Sequence, residues 1–272
     1  VFSYTLHIYV YIFIYIYKLT DGLLACSYVP LLSSKCLQYS FALIQPILRS
    51  SYCQFGTQTL DTDVEDLNNL VKFLKETRGN DIQVSIIGHS TGCQIAVHFC
   101  KTSQFAKDCI EKIILQAPVS DREAMVMETS GEYVEKLISN ANKCVENGES
   151  DQIVHMLYGI APLTAQRTLD LYSKNGLDDM FSSDLTLSEL NNRLDHMKSF
   201  QTLISISLED QYVPKDVYPN LSMKLKNAMN ANVLLEIPNA NHSLNDGGDS
   251  SNNNNNNNSA TIFINEVTKF LF

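Results

Sequence analysis

Three residues of this chain have the types and the order needed for nucleophilic catalysis: Ser90, Asp210 and His242. A serine hydroxyl is a poor nucleophile at neutral pH, and it attacks only when an imidazole takes its proton and a carboxylate holds that imidazole in the right tautomer. Ser90 stands in Gly88-His89-Ser90-Thr91-Gly92. The pentapeptide is short, so its context carries the argument: the apolar run "IQVSIIG" precedes it, and "HSTGCQIAVHFCK", with helical spacing, follows. A serine on such a strand-to-helix turn has strained backbone angles, and flanking glycines let strand and helix approach without a Cβ clash. Its hydroxyl is held out at the C-terminal edge of a sheet. The Thr91 N–H, at the helix N-terminus, then points toward a developing oxyanion.

With a nucleophile on this kind of turn, the acid and then the histidine follow in chain order, each just past a sheet strand. "ISISLEDQYVP" ends one strand candidate and delivers Asp210, while "LLEIPNANHSL" ends the next and delivers His242. Glu209 is the rival acid; D-x-x-V-P, the usual form of this loop in such hydrolases, favours Asp210. His89 and His98 are expected to pack or bond locally, and His155 and His196 to sit on the surface.

These residues need a scaffold. Short β-branched runs alternate with helical periodicity: "SFALIQP", "IQVSIIG", "KIILQAP", "FQTLISIS" and "NVLLEIP" read as strands, and Asp61 to Thr77 as a helix closed by Gly79. Strands separated by helix-length connections predict an α/β fold, a mostly parallel sheet with helices on both faces. The connection between Val119 and Ser199 is too long for a simple crossover. Its helical patterns, Tyr133 to Asn147 and Thr164 to Asn175, and a Thr186-x-x-Glu189 capping box predict a helical lid inserted over residues 120–199. The Asn run predicts a disordered loop over 246–259, and "TIFINEVTKFLF" a last helix on the sheet.

Composition excludes other classes. A formal net charge of −10 leaves no basic surface for nucleic acid or anionic lipid. The seven cysteines form no C-x-x-C pair and read as free, mostly buried thiols of a cytoplasmic protein. Neither histidine nor cysteine spacing suggests a metal site, and no cofactor is implied. The opening run "HIYVYIFIYIYKLTDGLL" has about half the roughly 20 apolar residues of a membrane span, so it reads as a strand.

Longer segments carry a resemblance. "TDGLLACSYVPLL", "LIQPILRSSYCQFGTQTLDTDVEDL", "IIGHSTGCQ", "ILQAPVSDREA", "FSSDL", "DQYVP" and "NANHSL" together resemble a little-characterised eukaryotic family of α/β-hydrolases, long catalogued as a domain of unknown function, whose members include fungal siderophore esterases. The similarity runs from about Leu19 to the C-terminus, apart from the Asn run. It implies an α/β-hydrolase fold and a Ser90, Asp210, His242 triad that cleaves a small-molecule ester through an acyl-enzyme, with a siderophore-type hydroxamate ester as one candidate substrate. It also implies a second oxyanion donor from a Gly-Gly-Leu-Thr-Asp-Gly-Leu turn. Here that turn reads Tyr17-Lys18-Leu19-Thr20-Asp21-Gly22-Leu23, without the two leading glycines, and Leu19 is the implied donor. Members have about two further strands upstream, so N-terminal edge strands are expected to be missing, and residues 1–18 are read as an atypical segment foreign to the ancestral protein. The alternatives to a serine esterase are a catalytically impaired binding protein on the same fold and an acyltransferase using the same triad.

Overall fold

The computed structural model describes residues 11–17, 22–217, 220–245 and 258–272. Strand β1 (Tyr11–Ile16) lies inside a parallel six-stranded sheet, between β2 (Phe41–Ile44) and β3 (Val84–His89). Its alternation of isoleucine and aromatic residues has a simple cause, because successive side chains of a strand point to opposite faces. Ile12, Ile14 and Ile16 pack with helices α2 (Leu60–Arg78) and α3 (Thr91–Thr102). Phe13, Tyr15 and Tyr17 pack on the other face with α1 (Val29–Gln38) and α10 (Ser259–Leu271). Both faces are dry, and each such side chain contributes ~1.5–3 kcal/mol of transfer free energy. A run apolar on both faces is what a covered parallel strand requires.

The sheet order is β2-β1-β3-β4-β7-β8, with β4 at Ile110–Gln116, β7 at Gln201–Ser207 and β8 at Val233–Ile237. The five paired interfaces are all parallel. The short α4 (Ala106–Cys109) leads into β4, and α9 (Asn220–Met229) precedes β8. Among the described residues the sheet ends on β2, whose residues are half-buried. The Phe272 ring packs against this strand, 4.5 Å from that of Phe41.

The long insertion differs from the all-helical expectation in two respects. Helices α5 (Asp121–Glu128), α6 (Gly131–Glu146) and α7 (Ala165–Tyr172) are joined by an antiparallel pair, β5 (Ile153–Leu157) and β6 (Ala161–Thr164). The hairpin was hidden because β5 is short and its face toward solvent is apolar. Its one local signal is Tyr158-Gly159, both at positive φ, the conformation a tight hairpin turn demands. The second difference is α8 (Leu187–Leu194), with its capping box, which packs against α9 and contributes Leu190 and Leu194 to the main core. Only the part up to α7 has a core of its own, built on Met125, Val134, Leu137, Leu163 and Leu171 and joined from the main chain by Phe55.

A buried ion pair pins this cap. Arg167 on α7 is 4 % exposed and donates through Nη2 to Asp178 Oδ1 at 2.8 Å and through Nε to the Phe55 carbonyl at 2.9 Å. The seven cysteines are free; six are buried and Cys53 is half-buried. The expected Asn-rich loop lies outside the described residues up to 257; of its last two residues, Asn258 caps α10 by accepting from the Thr261 N–H at 2.8 Å and Ser259 begins the helix. Among the described residues no helix is long and apolar enough to cross a membrane.

Candidate active site

The strand β3 is buried at every position and runs directly into Ser90, which has φ 55° and ψ −125°. A non-glycine residue at positive φ is strained by ~1–3 kcal/mol, and the neighbouring packing enforces it. A Cβ at Gly88 would lie 2.5 Å from the Gly92 carbonyl oxygen, and one at Gly92 would lie 2.3 Å from the Ile16 carbonyl oxygen. Both glycines are therefore required, and the second one seats the turn on the end of β1. The Ser90 N–H donates to the Gln116 carbonyl at 3.0 Å. The Thr91 N–H opens α3 and has no acceptor within the helix.

Asp210 and His242 come together although 32 positions separate them: His242 Nδ1 lies 2.7 Å from Asp210 Oδ2, with both residues buried. A carboxylate can only accept, so Nδ1 carries the proton and Nε2 presents its lone pair. The other oxygen, Asp210 Oδ1, accepts from the Tyr212 N–H at 2.9 Å. The rings of Tyr212 and His89 lie 4.8 and 4.9 Å from the imidazole and fix its plane. Among the described residues His242 Nε2 has no hydrogen-bond partner, and the Ser90 hydroxyl does not cap α3. The structure thus joins acid to base and leaves the base–nucleophile bond open, as ligand-free sites of this kind often do. Leu19 lies outside the described residues. Glu209, the rival acid, points outward to Lys215, with Oε2 3.1 Å from Nζ.

The remaining histidines among the described residues bond locally: His98 to Asp61 at 2.6 Å, His196 to the Val97 carbonyl at 3.0 Å and His155 to the Tyr133 hydroxyl at 3.2 Å. Sequence reasoning passed over Gln116. Its Nε2 donates to the His242 carbonyl at 3.1 Å, its Oε1 accepts from the Tyr28 hydroxyl at 3.2 Å, and Tyr28 meets Tyr15 at 2.8 Å. The available signal was a lone amide at the end of the apolar run "KIILQAP", since a buried amide must find partners.

Ser90 opens on a cavity of about 190 Å³ whose far walls come from the inserted cap, through Met125 and Leu157, and from Phe55. Burial raises the Tyr158 hydroxyl to about 12, with help from the Glu128 carboxylate that it donates to at 3.0 Å. It stays protonated at neutral pH.

Residues 3–272 match the model of a family described as "Protein of unknown function (DUF1749)". The chain belongs to the DUF1749 family. The match takes in β1 as well as the site. Among relatives of this DUF1749 member, a fusarinine C esterase of Aspergillus fumigatus is 27% identical over 287 residues, covering 84% of this chain and 81% of the relative. A UPF0613 protein of Schizosaccharomyces pombe is 29% identical over 211 residues, 72% of this chain, and the chain spans 66% of that protein's length. The solved siderophore hydrolase EstB from Aspergillus fumigatus superposes with a TM-score of 0.71 at 22% identity, covering 96% of this chain and 89% of that one. The ferulic acid-bound Est1E of Butyrivibrio proteoclasticus gives 0.57 at 14% identity, covering 96% and 88%. At such identities these structures establish the fold, an α/β-hydrolase with a mostly parallel sheet and helices on both sides.

Proposed function

We propose that this DUF1749 member is a serine esterase acting through an acyl-enzyme. The observation that carries the reading is the strained Ser90 at the mouth of a cavity, on the same sheet edge as a buried Asp210–His242 pair at 2.7 Å. Strain of this kind persists only where the surrounding structure over-determines it, and it clusters at functional sites.

In this mechanism His242 Nε2 takes the proton of the Ser90 hydroxyl as Oγ attacks the ester carbonyl. The tetrahedral oxyanion is held by the Thr91 N–H and by a second donor from the turn after β1, for which Leu19 is the candidate. On collapse the C–O bond to the alcohol breaks, and the alkoxide leaves with the proton from Nε2. Water then attacks the acyl-serine, His242 again serving as base, and releases the acid. Asp210 keeps the proton on Nδ1 and stabilises the imidazolium. No metal or cofactor takes part. The name of the fusarinine C esterase supports siderophore-type esters as one substrate class.

Labelling with a fluorophosphonate probe tests this. Wild-type protein should be labelled and Ser90→Ala should not; equal labelling of the two, or none of either, means a binding protein. Product formation that depends on an added alcohol or amine acceptor, with no hydrolysis in its absence, would make it an acyltransferase.

A further inference from the structure

The hairpin of the cap turns on Leu157-Tyr158-Gly159-Ile160, where the Ile160 N–H donates to the Leu157 carbonyl at 3.1 Å and the two central residues have φ 52° and 71°. A turn with both central residues at positive φ favours Asn, Asp or Gly at the first of them. A tyrosine there is strained, because its Cβ crowds the following carbonyl oxygen. The strained position carries its side chain to the cavity on which Ser90 opens, where Tyr158 lines the wall with Phe55, Tyr172 and Tyr212. Its hydroxyl donates to both oxygens of Glu128, at 3.0 and 3.3 Å, and Glu128 is the last residue of α5. The ring is therefore tied across the cap although the residue is 62 % exposed. A side chain ordered before a ligand arrives spares the entropy cost of fixing it on binding.

We infer that Tyr158 is a specificity-determining residue whose ring contacts the substrate, and that with Phe55, Tyr172 and Tyr212 it forms a subsite for a planar, phenyl-sized group in the acyl or alcohol part of the ester. The cleaved bond is taken from the esterase reading; the planar group follows from the cavity walls alone. Size supports a single ring. The cavity has about 190 Å³, and an engineered apolar cavity of roughly 150 Å³ takes up benzene. Met125 and Leu157 add apolar wall between the four rings, so a phenyl group would leave water for carbon on each side. Aromatic pairs in edge-on or offset contact gain roughly two- to tenfold in affinity beyond the area they bury. A saturated ring of the same size buries that area without the gain. Strain at a bulky residue persists where the surrounding structure over-determines it, and here it puts a ring where Asn would leave only a short amide.

Matched esters that differ only in the ring test this with the purified full chain: ethyl phenylacetate against ethyl cyclohexylacetate, and 2-phenylethyl acetate against 2-cyclohexylethyl acetate. Saturated carbons separate ring from ester in each, so the carbonyls are equally reactive. The expected result is a kcat/KM about fivefold or more higher for the phenyl member of one pair. Tyr158→Asn should lower that ratio about threefold or more while its urea midpoint rises, since Asn suits a positive φ; Tyr158→Phe, which keeps the ring, should retain most of the ratio. A wild-type ratio near one, a ratio that Tyr158→Asn leaves unchanged or that Tyr158→Phe loses as fully, or a loss accompanied by a lower midpoint, overturns the role of Tyr158 and leaves the esterase reading standing. Absence of hydrolysis and of probe labelling overturns the esterase reading instead, and the subsite is then decided by ligand-observed NMR on Ser90→Ala protein. Ethyl phenylacetate should bind it more tightly than ethyl cyclohexylacetate and lose that advantage in the Ser90→Ala, Tyr158→Asn double variant; no binding, or an advantage untouched by the double variant, overturns it.

Discussion

Gln116 holds the proposed base and nucleophile at once: its side chain donates to the His242 carbonyl at 3.1 Å, and its own carbonyl accepts the Ser90 N–H at 3.0 Å. The residue ends β4, whose neighbours in the sheet are the strand leading to Ser90 and the strand leading to Asp210. The amide is fully buried, so its bonds have no water to compete with them. Gln116→Leu should leave the His242 carbonyl without its side-chain donor and the Tyr28 hydroxyl with Tyr15 alone, costing ~1–3 kcal/mol in urea melts. Misplacement of the imidazole should lower kcat about tenfold or more with KM nearly unchanged. A kcat equal to wild type would show that the histidine loop positions itself without the amide.

Ser90 is strained at φ 55° and a glycine is not. Ser90→Gly should therefore be more stable than Ser90→Ala by ~1 kcal/mol, although both lose fluorophosphonate labelling. Chemical denaturation of the two variants side by side checks it. Equal midpoints would mean that the turn relaxes when the hydroxyl is lost.

Gly92 and Gly131 both belong to helices, yet they should respond oppositely to alanine. A Cβ at Gly92 meets the Ile16 backbone at 2.3 Å, whereas nothing lies within 4 Å of one at Gly131. Gly92→Ala should cost ~1–3 kcal/mol and reduce labelling of Ser90. Gly131→Ala should be neutral or stabilise by up to ~1 kcal/mol. Thermal melts with labelling of each variant read both effects.

Asp63 on α2 is 2 % exposed, and burial pushes its carboxyl up to about 6, above the ordinary carboxylate range. The folded state thus holds a proton that the unfolded state releases, and this group's contribution to stability falls as pH rises from about 4 to about 6. Asp63→Asn keeps the shape and removes the titration. Its stability relative to wild type should rise across that window, by up to ~2–3 kcal/mol near neutral pH. A difference that stays flat between pH 4 and 7 would mean that Asp63 titrates at its ordinary value.

Much of the architecture follows from local pattern. The alternation of Ile12, Phe13, Ile14 and Tyr15 makes a strand buried on both faces, because period two is a property of the extended backbone itself. Gly88 and Gly92 around Ser90 announce the turn, and Asp210 and His242 follow strands that can be read from their β-branched runs. These signals lie within a few residues of one another and need no distant partner. The contrary cases are all long-range. The β5–β6 hairpin closes only because the cap has its own small core to pack on. The bond from Gln116 to His242 spans 126 positions, and α5 lines the cavity on which Ser90 opens only through the way the cap is seated. The order of residues along the chain determines which groups can do chemistry here. Which of them meet is decided by sheet order and cap packing, since closing such distances depends on the free energy of the whole core and not on any local preference.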